Sequence, residues 1–347
     1  TAITTVTVGR VTGMSLISAS VANGVGDIVL NRPKALNALD QAMIDELYPV
    51  LLAWADDPDV ETVLVTSGID RAFCAGGDIR AIRDAALIGD TAAITQYFSS
   101  EYTLDQLIAD YPKPYVALID GAAMGGGLGI SVHGEVRVVT EKALIAMPET
   151  AIGFFPDIGS TYFLPRLPVG VGKWLGLTGA RIRGTQAIEV GLATHSVASE
   201  SVGPLADAIR SGMPLGEALG SFDSAPAADA LPLRSIADYF GGNDEVSAIL
   251  GGLRGGDEWA RDTAALTDSC SPTSLLVTAE MIDRGAQSSL GQCLDRELRA
   301  AEQITATHDF AEGVRAVLVD KDRSPSFDPA SIDDVDPAVV ARIVGDR

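Results

Sequence analysis

The chain has 347 residues, of which 47% are hydrophobic and 21% charged, a composition that can bury a large core and excludes a disordered or low-complexity polymer. The formal net charge of −22, with no dense Lys/Arg cluster to offset it, argues against nucleic acid and anionic membrane surfaces as partners. Three scattered cysteines and interrupted apolar stretches argue against a disulfide framework, a zinc site and a membrane-spanning helix, so we expect a cytoplasmic protein.

The first half of the chain predicts alternating strands and helices. Up to Ser20 we expect an irregular head, after which short apolar and β-branched runs predict strands at 27–30, 62–66, 115–119 and 136–139. Apolar residues from Met43 to Trp54 recur at helical spacing and predict a helix. Two of the strands lead into glycine-bearing turns, at 73–78 and 120–127, and each turn opens into a helix. This alternation predicts an α/β fold.

The second half predicts a helical region. Residues 201–230 are rich in Ser, Ala, Pro and Gly, which indicates a linker or a loosely packed subdomain. Apolar spacing then predicts two helices, at 275–282 and 290–304, and Pro325 and Pro329 break the tail into loops. We therefore expect an α/β core that carries the active site at 15–205 and a mainly helical region at 206–347.

The two glycine turns are the most suggestive chemical feature. Backbone N–H groups at a helix start have no intrahelical acceptor and lie at the positive end of the helix dipole. At Gly77 and Gly126 the missing side chain would let an oxygen approach such groups, and two donors from two loops would form an oxyanion hole. The alternative is that these glycines only let helices pack close to strands. Neither turn matches a dinucleotide-binding or P-loop motif.

Carboxylates in apolar surroundings are the second feature. Glu149 and Asp157 lie eight residues apart in an otherwise apolar stretch, where burial would raise both pKa values and suit acid, base or nucleophile chemistry near neutral pH. Alternatively, Glu149 caps a helix and Asp157 starts a turn before Gly159. Glu101 alone is more simply interpreted as an acid at a helix start.

The other reactive residue types point to no further chemistry. The three histidines share no ligand spacing, and Cys74 has no base near it in sequence, so we interpret all four as structural or exposed residues. A serine-hydrolase elbow is also missing from the sequence. We expect no metal and no redox cofactor.

Taken together, the loops at 72–78 (AFCAGGD) and 120–127 (DGAAMGGG) resemble those of the crotonase, or enoyl-CoA hydratase/isomerase, superfamily. The resemblance implies a crotonase-like spiral of ββα turns and an acyl-CoA thioester whose oxygen is bound by the N–H groups of Gly77 and Gly126. It also implies that CoA, present only as part of the substrate, contacts Lys34, Ala35, Ala75, Asp78 and Ile79, with Lys34 at a phosphate.

One position departs from the hydratases of the superfamily. Their first catalytic glutamate follows the second oxyanion glycine by three residues, and Gly129 stands at that place here, whereas their second glutamate corresponds to Glu149. Addition of water to a double bond needs both a base and an acid, so the glycine weakens a hydratase assignment.

A longer resemblance, from about Gly26 to the C-terminus, is to the 3-hydroxyisobutyryl-CoA hydrolase family. It includes the runs at 31–39 (NRPKALNAL), 147–157 (MPETAIGFFPD) and 309–322 (DFAEGVRAVLVDKD). This resemblance implies Glu149 and Asp157 as the catalytic acids and Glu101 as a residue of the substrate pocket.

The leading hypothesis is hydrolysis of a short branched β-hydroxyacyl-CoA thioester, as in valine breakdown. Glu149 either attacks the thioester carbon or activates water, and Asp157 orients it or carries a proton. The alternatives are an isomerase or hydratase of the same superfamily and a non-catalytic acyl-CoA-binding protein. Superfamily members often form trimers or pairs of trimers, but the helical C-terminal region could cover the same surface, so self-association stays open.

Overall fold

The computed structural model describes residues 15–242 and 245–345. The described residues form two compact units that are interleaved along the chain. The first unit contains the residues up to Gly77, Thr103–Ile145 and Ile182–Leu231; the second contains Asp78–Tyr102, Ala146–Arg181 and the residues from Pro232 onward. This division differs from the expected boundary at residue 205. The expected division into two domains at that boundary stays a prediction.

Strands and helices alternate in the first 200 residues, and helices follow. The strands are β1 Ile17–Ala22, β2 Val25–Leu30, β3 Thr62–Ser67, β4 Ala72–Cys74, β5 Tyr115–Ile119, β6 Ala122–Met124, β7 Val136–Val139, β8 Leu144–Ala146, β9 Ile182–Arg183 and β10 His195–Ser196. The helices are α1 Gln41–Asp56, α2 Ile79–Leu87, α3 Thr91–Ala109, α4 Gly126–Val132, α5 Ser160–Phe163, α6 Val171–Thr178, α7 Gln186–Glu189, α8 Val202–Arg210, α9 Leu215–Gly220, α10 Leu233–Phe240, α11 Val246–Arg254, α12 Glu258–Thr267, α13 Pro272–Gly285, α14 Leu290–Ile304, α15 His308–Val314 and α16 Pro337–Val344.

The first unit is built on two sheets. The larger sheet has the order β1-β2-β3-β5-β7-β10, in which β1 pairs antiparallel with β2 and all other neighbours are parallel. The smaller has the order β4-β6-β8-β9. Parallel neighbours require crossover connections, which the helices between the strands provide. The predicted α/β class and the four predicted strands are confirmed.

The expected irregular head is wrong from Ile17 onward, and residues 1–14 lie outside the described part of the chain. Strand β1 forms a hairpin with β2 through a two-residue turn in which Asn23 has φ 52° and Gly24 has φ 79°. An Asn-Gly pair favours this turn because both residues tolerate positive φ, so the dipeptide was a usable signal for the missed strand.

The expected linker at 201–230 is also corrected. Helices α8 and α9 occupy residues 202–220, and Leu205, Ile209 and Ala218 are buried with sheet residues Val25 and Val116 in one apolar cluster of the first unit. The small residues of this segment permit tight packing, which composition alone does not distinguish from a linker.

The second unit is mainly helical. Its residues after Pro232 form helices α10 to α16. A π-helix, Arg315–Val319, continues α15, and the residues from there to α16 are irregular except for the 3₁₀ helix Ile332–Asp334; Pro325 and Pro329 lie in the irregular part. The two helices predicted at 275–282 and 290–304 are confirmed as α13 and α14. Within the described ranges, no helix combines the length and the apolar character that crossing a bilayer requires.

Candidate active site

The first unit brings the two glycine turns together. Strand β4 pairs in parallel with β6, and the glycine pairs Gly76–Gly77 and Gly125–Gly126 follow the carboxyl ends of these strands, so the two turns lie side by side. Gly76 has φ 119° and Gly125 has φ 45°, conformations that favour glycine. Gly126 is the first residue of α4, where helix geometry leaves an N–H group without an intrahelical acceptor.

Close packing between the turns explains part of the glycine content. A Cβ atom on Gly127 would lie 2.1 Å from the carbonyl oxygen of Cys74, and one on Gly76 would lie 3.3 Å from the carbonyl oxygen of Met124. The packing explanation therefore applies to Gly76 and Gly127. These are the chain neighbours of Gly77 and Gly126, the two expected oxyanion donors.

The residues expected to hold CoA occupy two places in the chain. Lys34 and Ala35 lie in the short 3₁₀ helix Pro33–Ala35, where Lys34 is exposed, and the N–H of Ala75 donates to the carbonyl oxygen of Leu36 at 3.0 Å. The first unit thus brings Ala75 to the turn that carries Lys34. Asp78 and Ile79 instead begin helix α2, in the second unit.

Buried Asn37 shapes that turn. Its Oδ1 accepts the N–H of Arg32 at 2.8 Å, and its Nδ2 donates to the carbonyl oxygen of Phe73 at 3.0 Å. Its φ of 57° falls in the left-handed region, which asparagine tolerates better than most residues. The asparagine of the 31–39 run therefore has a structural role, joining the turn to β4.

The second unit brings the three predicted acids together in a carboxyl cluster. Glu101, Glu149 and Asp157 are only 2%, 7% and 5% exposed. Glu149 begins the 3₁₀ helix Glu149–Ile152, and Asp157 lies in the segment between that helix and α5. The interpretation of Glu101 as a helix-start acid is wrong, because the residue lies in the middle of α3.

Burial dominates the electrostatics of this cluster. It raises the pKa of Asp157 to about 7, even though hydrogen bonds partly stabilise the carboxylate. Burial, followed by the charge of Asp157, raises the pKa of Glu149 well above its usual value. Burial and the charges of Asp157 and Glu149 act in the same direction on the pKa of Glu101. The expectation that burial raises the pKa values of Glu149 and Asp157 is confirmed.

The hydrogen bonding of the cluster is uneven. The hydroxyl of Tyr102 donates to Oδ2 of Asp157 at 2.7 Å. In contrast, Oε1 of Glu101 and Oε2 of Glu149 are buried and have no hydrogen-bond partner within 15–242 and 245–345. A buried polar atom without a partner is rare and costly, and such atoms mark places where a ligand or water binds. Glu149 therefore combines a raised pKa with an oxygen that no donor of the described residues satisfies.

Sequence reasoning missed two residues that interact with this cluster. Tyr102 directly follows Glu101, but nothing in the local sequence pairs it with Asp157, 55 residues away. Glu297 lies on the buried face of α14 between Leu294 and Ala301, and it is completely buried. An acid on the apolar stripe of an amphipathic helix was a usable signal for it.

The remaining candidates stay outside the cluster. His195 and His308 are exposed, whereas Cys74 is buried and thus fits an inert packing residue. Over the described ranges, no group of three His, Cys, Asp or Glu residues is arranged to hold a metal ion.

The carboxyl cluster predicts a pH dependence of stability: the free energy of unfolding falls as the pH rises from about 4 to about 8. Within this window the folded protein binds more protons than the unfolded chain, because the pKa of Asp157 is about 7 and that of Glu297 is about 8 in the fold. Below the window both states are protonated. Urea titrations at several pH values measure the free energy of unfolding. Between about pH 4 and 7 this free energy should decline less steeply for Asp157→Asn than for the wild-type protein. An unchanged decline would contradict the raised pKa of Asp157.

Known proteins resemble nearly the whole chain. The model of a family described as enoyl-CoA hydratase/isomerase matches residues 25–344. A curated relative from Gallus gallus named 3-hydroxyisobutyryl-CoA hydrolase, mitochondrial, is 43% identical over 324 residues, which are 90% of this chain and 84% of the relative. That name places the relative in mitochondria, so the cytoplasmic location expected for this chain stays a prediction.

Two solved structures share the fold over almost their full length. One is titled a carnitinyl-CoA dehydratase from Mycobacterium thermoresistibile; it is 37% identical, with a TM-score of 0.89 and coverage of 96% of this chain and 97% of that one. The other is titled an enoyl-CoA hydratase from Rhodobacter sphaeroides; it is 36% identical, with a TM-score of 0.87 and coverage of 95% and 97%. Because the family model spans most of its length, the chain belongs to the enoyl-CoA hydratase/isomerase family, the crotonase superfamily that its two glycine turns predict.

Proposed function

We propose that the protein hydrolyses 3-hydroxyisobutyryl-CoA to 3-hydroxyisobutyrate and free CoA. The observation that carries the proposal is the buried pair of Glu149 and Asp157, two carboxyl groups with raised pKa values. The name of the 43% identical relative from Gallus gallus supports the same reaction. The pair supplies the acid and base that thioester hydrolysis near neutral pH requires.

Glu149 acts at the thioester carbon. Its carboxylate either attacks that carbon, so that the CoA thiolate leaves and water hydrolyses the resulting anhydride, or it removes a proton from the water that attacks. In both routes one water molecule is consumed and one thiol is released. The oxygen without a partner, Oε2 of Glu149, suits either role.

Asp157 supplies the proton that the departing thiolate needs. With a pKa near 7, its carboxyl group exchanges protons readily at neutral pH. The hydroxyl of Tyr102 fixes the direction of this carboxyl by donating to Oδ2.

The N–H groups of Gly77 and Gly126 stabilise the oxyanion that forms from the thioester carbonyl. Donors of this kind contribute about 3–4 kcal/mol each to the transition state. Lys34, Ala35, Ala75, Asp78 and Ile79 bind the CoA portion of the substrate, with exposed Lys34 at a phosphate. No cofactor takes part in this scheme.

Removal or addition of water is the second candidate, because the two similar structures are titled as a dehydratase and a hydratase. Gly129 argues against it, since this residue of α4 has no side chain to provide the second acid-base group. Crotonyl-CoA tests the reaction class. A hydrolase of this specificity leaves its conjugated double bond intact, whereas loss of the conjugated absorbance without thiol release would establish a hydratase.

Glu101 is expected to recognise the substrate hydroxyl. If its unpartnered Oε1 binds that hydroxyl, an analogue without the hydroxyl leaves a buried acid unpaired, and kcat/KM for isobutyryl-CoA should be lower by on the order of 10⁴. The apolar variant Glu101→Met should bring the two kcat/KM values to within about tenfold, mainly by loss of activity on the hydroxylated substrate. A variant that keeps the wild-type ratio would remove Glu101 from this role.

A further inference from the structure

We propose that Glu297 is a positioning residue for Asp157: it holds the turn that follows Asp157 and thereby fixes where the Asp157 carboxyl group points. The inference deepens the proposed function and rests on it, because the catalytic part of Asp157 is assigned there. Glu297 itself acts through Asp157 and is not proposed to touch the substrate.

The turn after Asp157 is strained. Ile158 has φ 58° and Gly159 has φ 76°, so two consecutive residues adopt the left-handed conformation. Glycine tolerates it, but for a β-branched residue it is a strained outlier. Such a conformation persists only where the surrounding structure holds it. The N–H of Ser160 donates to the carbonyl oxygen of Asp157 at 2.9 Å, which closes the turn.

Glu297 supplies the hold. Its Oε2 accepts the N–H of Gly159 at 2.7 Å, and its Oε1 accepts the N–H of Thr161 at 3.0 Å and the Thr161 hydroxyl at 2.6 Å. Three donors within three residues of the turn thus converge on one carboxyl group. They connect α14 to a segment 138 residues earlier in the chain.

Packing alone does not explain an acid at this position. Helix α14 buries Leu294, Ala301 and Ile304 on the same face, where a leucine would fit the pattern. Burial, together with the charge of Asp157, raises the pKa of Glu297 to about 8, although its hydrogen bonds act in the opposite direction. Burial of a carboxyl group costs free energy unless hydrogen bonds compensate for the lost solvation. All of the protein hydrogen bonds described for the Glu297 side chain go to the Asp157 turn.

Asp157 is also held by a residue of another helix. The hydroxyl of Tyr102 on α3 donates to its Oδ2, so the bond depends on the direction that the turn gives to the carboxyl group. The titratable groups around Asp157 are Tyr102 and Glu101 from α3, Glu149 from its 3₁₀ helix and Glu297 from α14. If the turn shifts, the Tyr102 bond is lost and the pKa of Asp157 rises.

The test compares Glu297→Gln with Glu302→Gln. In the amide one of the two carboxyl oxygens becomes an NH2 group, which cannot accept a hydrogen bond, so the donors of Gly159 and Thr161 cannot both be satisfied as they are by the carboxyl. Glu302 is the matched control, because it lies on the same helix and its Oε1 also accepts a threonine hydroxyl, that of Thr95, at 2.6 Å. Glu297→Gln should lower kcat by on the order of tenfold to a hundredfold and change KM less than about threefold, and Glu302→Gln should change neither.

The pKa of Asp157 separates positioning from a purely electrostatic role. It can be followed by infrared titration of the carboxyl band that Asp157→Asn removes. Any loss of negative charge in Glu297→Gln would lower the pKa of Asp157, so an upward shift in this variant would report loss of the Tyr102 bond. An unchanged or lowered pKa of Asp157 in the folded variant would overturn the inference, as would wild-type kcat.

Two further measurements distinguish a variant that fails to fold, and a failure of the proposed function, from a failure of the inference. If Glu297→Gln does not fold, Thr161→Val removes one of the three donors and should give an intermediate loss of kcat, whereas Thr161→Ser keeps the hydroxyl and should restore it; equal kcat values for the two would overturn the inference. If the wild-type protein releases no thiol, the proposed function fails. The infrared titration then still decides whether Glu297 positions Asp157.

Discussion

Replacing Glu149 by glutamine is expected to lower kcat for thiol release from 3-hydroxyisobutyryl-CoA by on the order of 10³-fold or more. The amide can neither attack the thioester carbon nor accept a proton from water. Binding of the CoA ester should change little, because glutamine has nearly the same shape. Assays of free thiol measure turnover, and titration with the CoA ester measures binding, so the two effects are observed separately.

The same substitution should leave the fold intact. Burial raises the pKa of Glu149, so the ionised form is unfavourable in the folded state and a neutral amide should keep or increase the unfolding temperature. Glu135→Gln, at an exposed site, serves as the control for loss of one acid. A purified, folded Glu149→Gln protein with wild-type turnover would remove Glu149 from the mechanism.

Gly127→Ala is expected to destabilise the protein by about 2–4 kcal/mol and to lower turnover with it. The added Cβ atom would lie 2.1 Å from the carbonyl oxygen of Cys74, and relief of this clash requires main-chain movement that separates the two glycine turns. Denaturant unfolding measures the loss in stability.

Gly251→Ala provides the matched control. This glycine lies in helix α11, and apart from its chain neighbours and its own helix backbone no described atom lies within 4 Å of the position that its Cβ would occupy. Alanine there should stabilise the protein by about 0.5–1 kcal/mol through helix propensity and leave turnover unchanged. Equal stability of the two variants would show that the turns do not pack as described.

Sequence predicted the parts of the fold that local pattern determines. The strands at 115–119 and 136–139 coincide with β5 and β7, since both are short runs of buried apolar residues between turn signals. Strand β1 was missed because its small alternating residues, ISASVA, give a weak apolar signal. Helices α8 and α9 were missed because their composition resembles a linker, whereas their burial depends on contacts with the sheet.

In the candidate site, too, local sequence pattern predicted some features, whereas long-range contacts determine the others. The apolar surroundings of Glu149 and Asp157 predicted their burial and raised pKa values. Glu101 was misplaced at a helix start because the cap of α3 lies eleven residues earlier, at Asp90, whose Oδ1 accepts the N–H of Ala93. The contacts of Tyr102 and Glu297 join residues far apart in sequence, which no local pattern contains.

Simultaneous measurement of free thiol and conjugated absorbance on adding 3-hydroxyisobutyryl-CoA to the purified protein tests the central claim most directly. Hydrolysis gives one thiol and one carboxylic acid for each ester consumed and no conjugated product. We expect this result, and we expect Glu149→Gln to abolish it. Appearance of a conjugated enoyl thioester without thiol, the product of water loss, would show that the protein is a dehydratase and contradict the account.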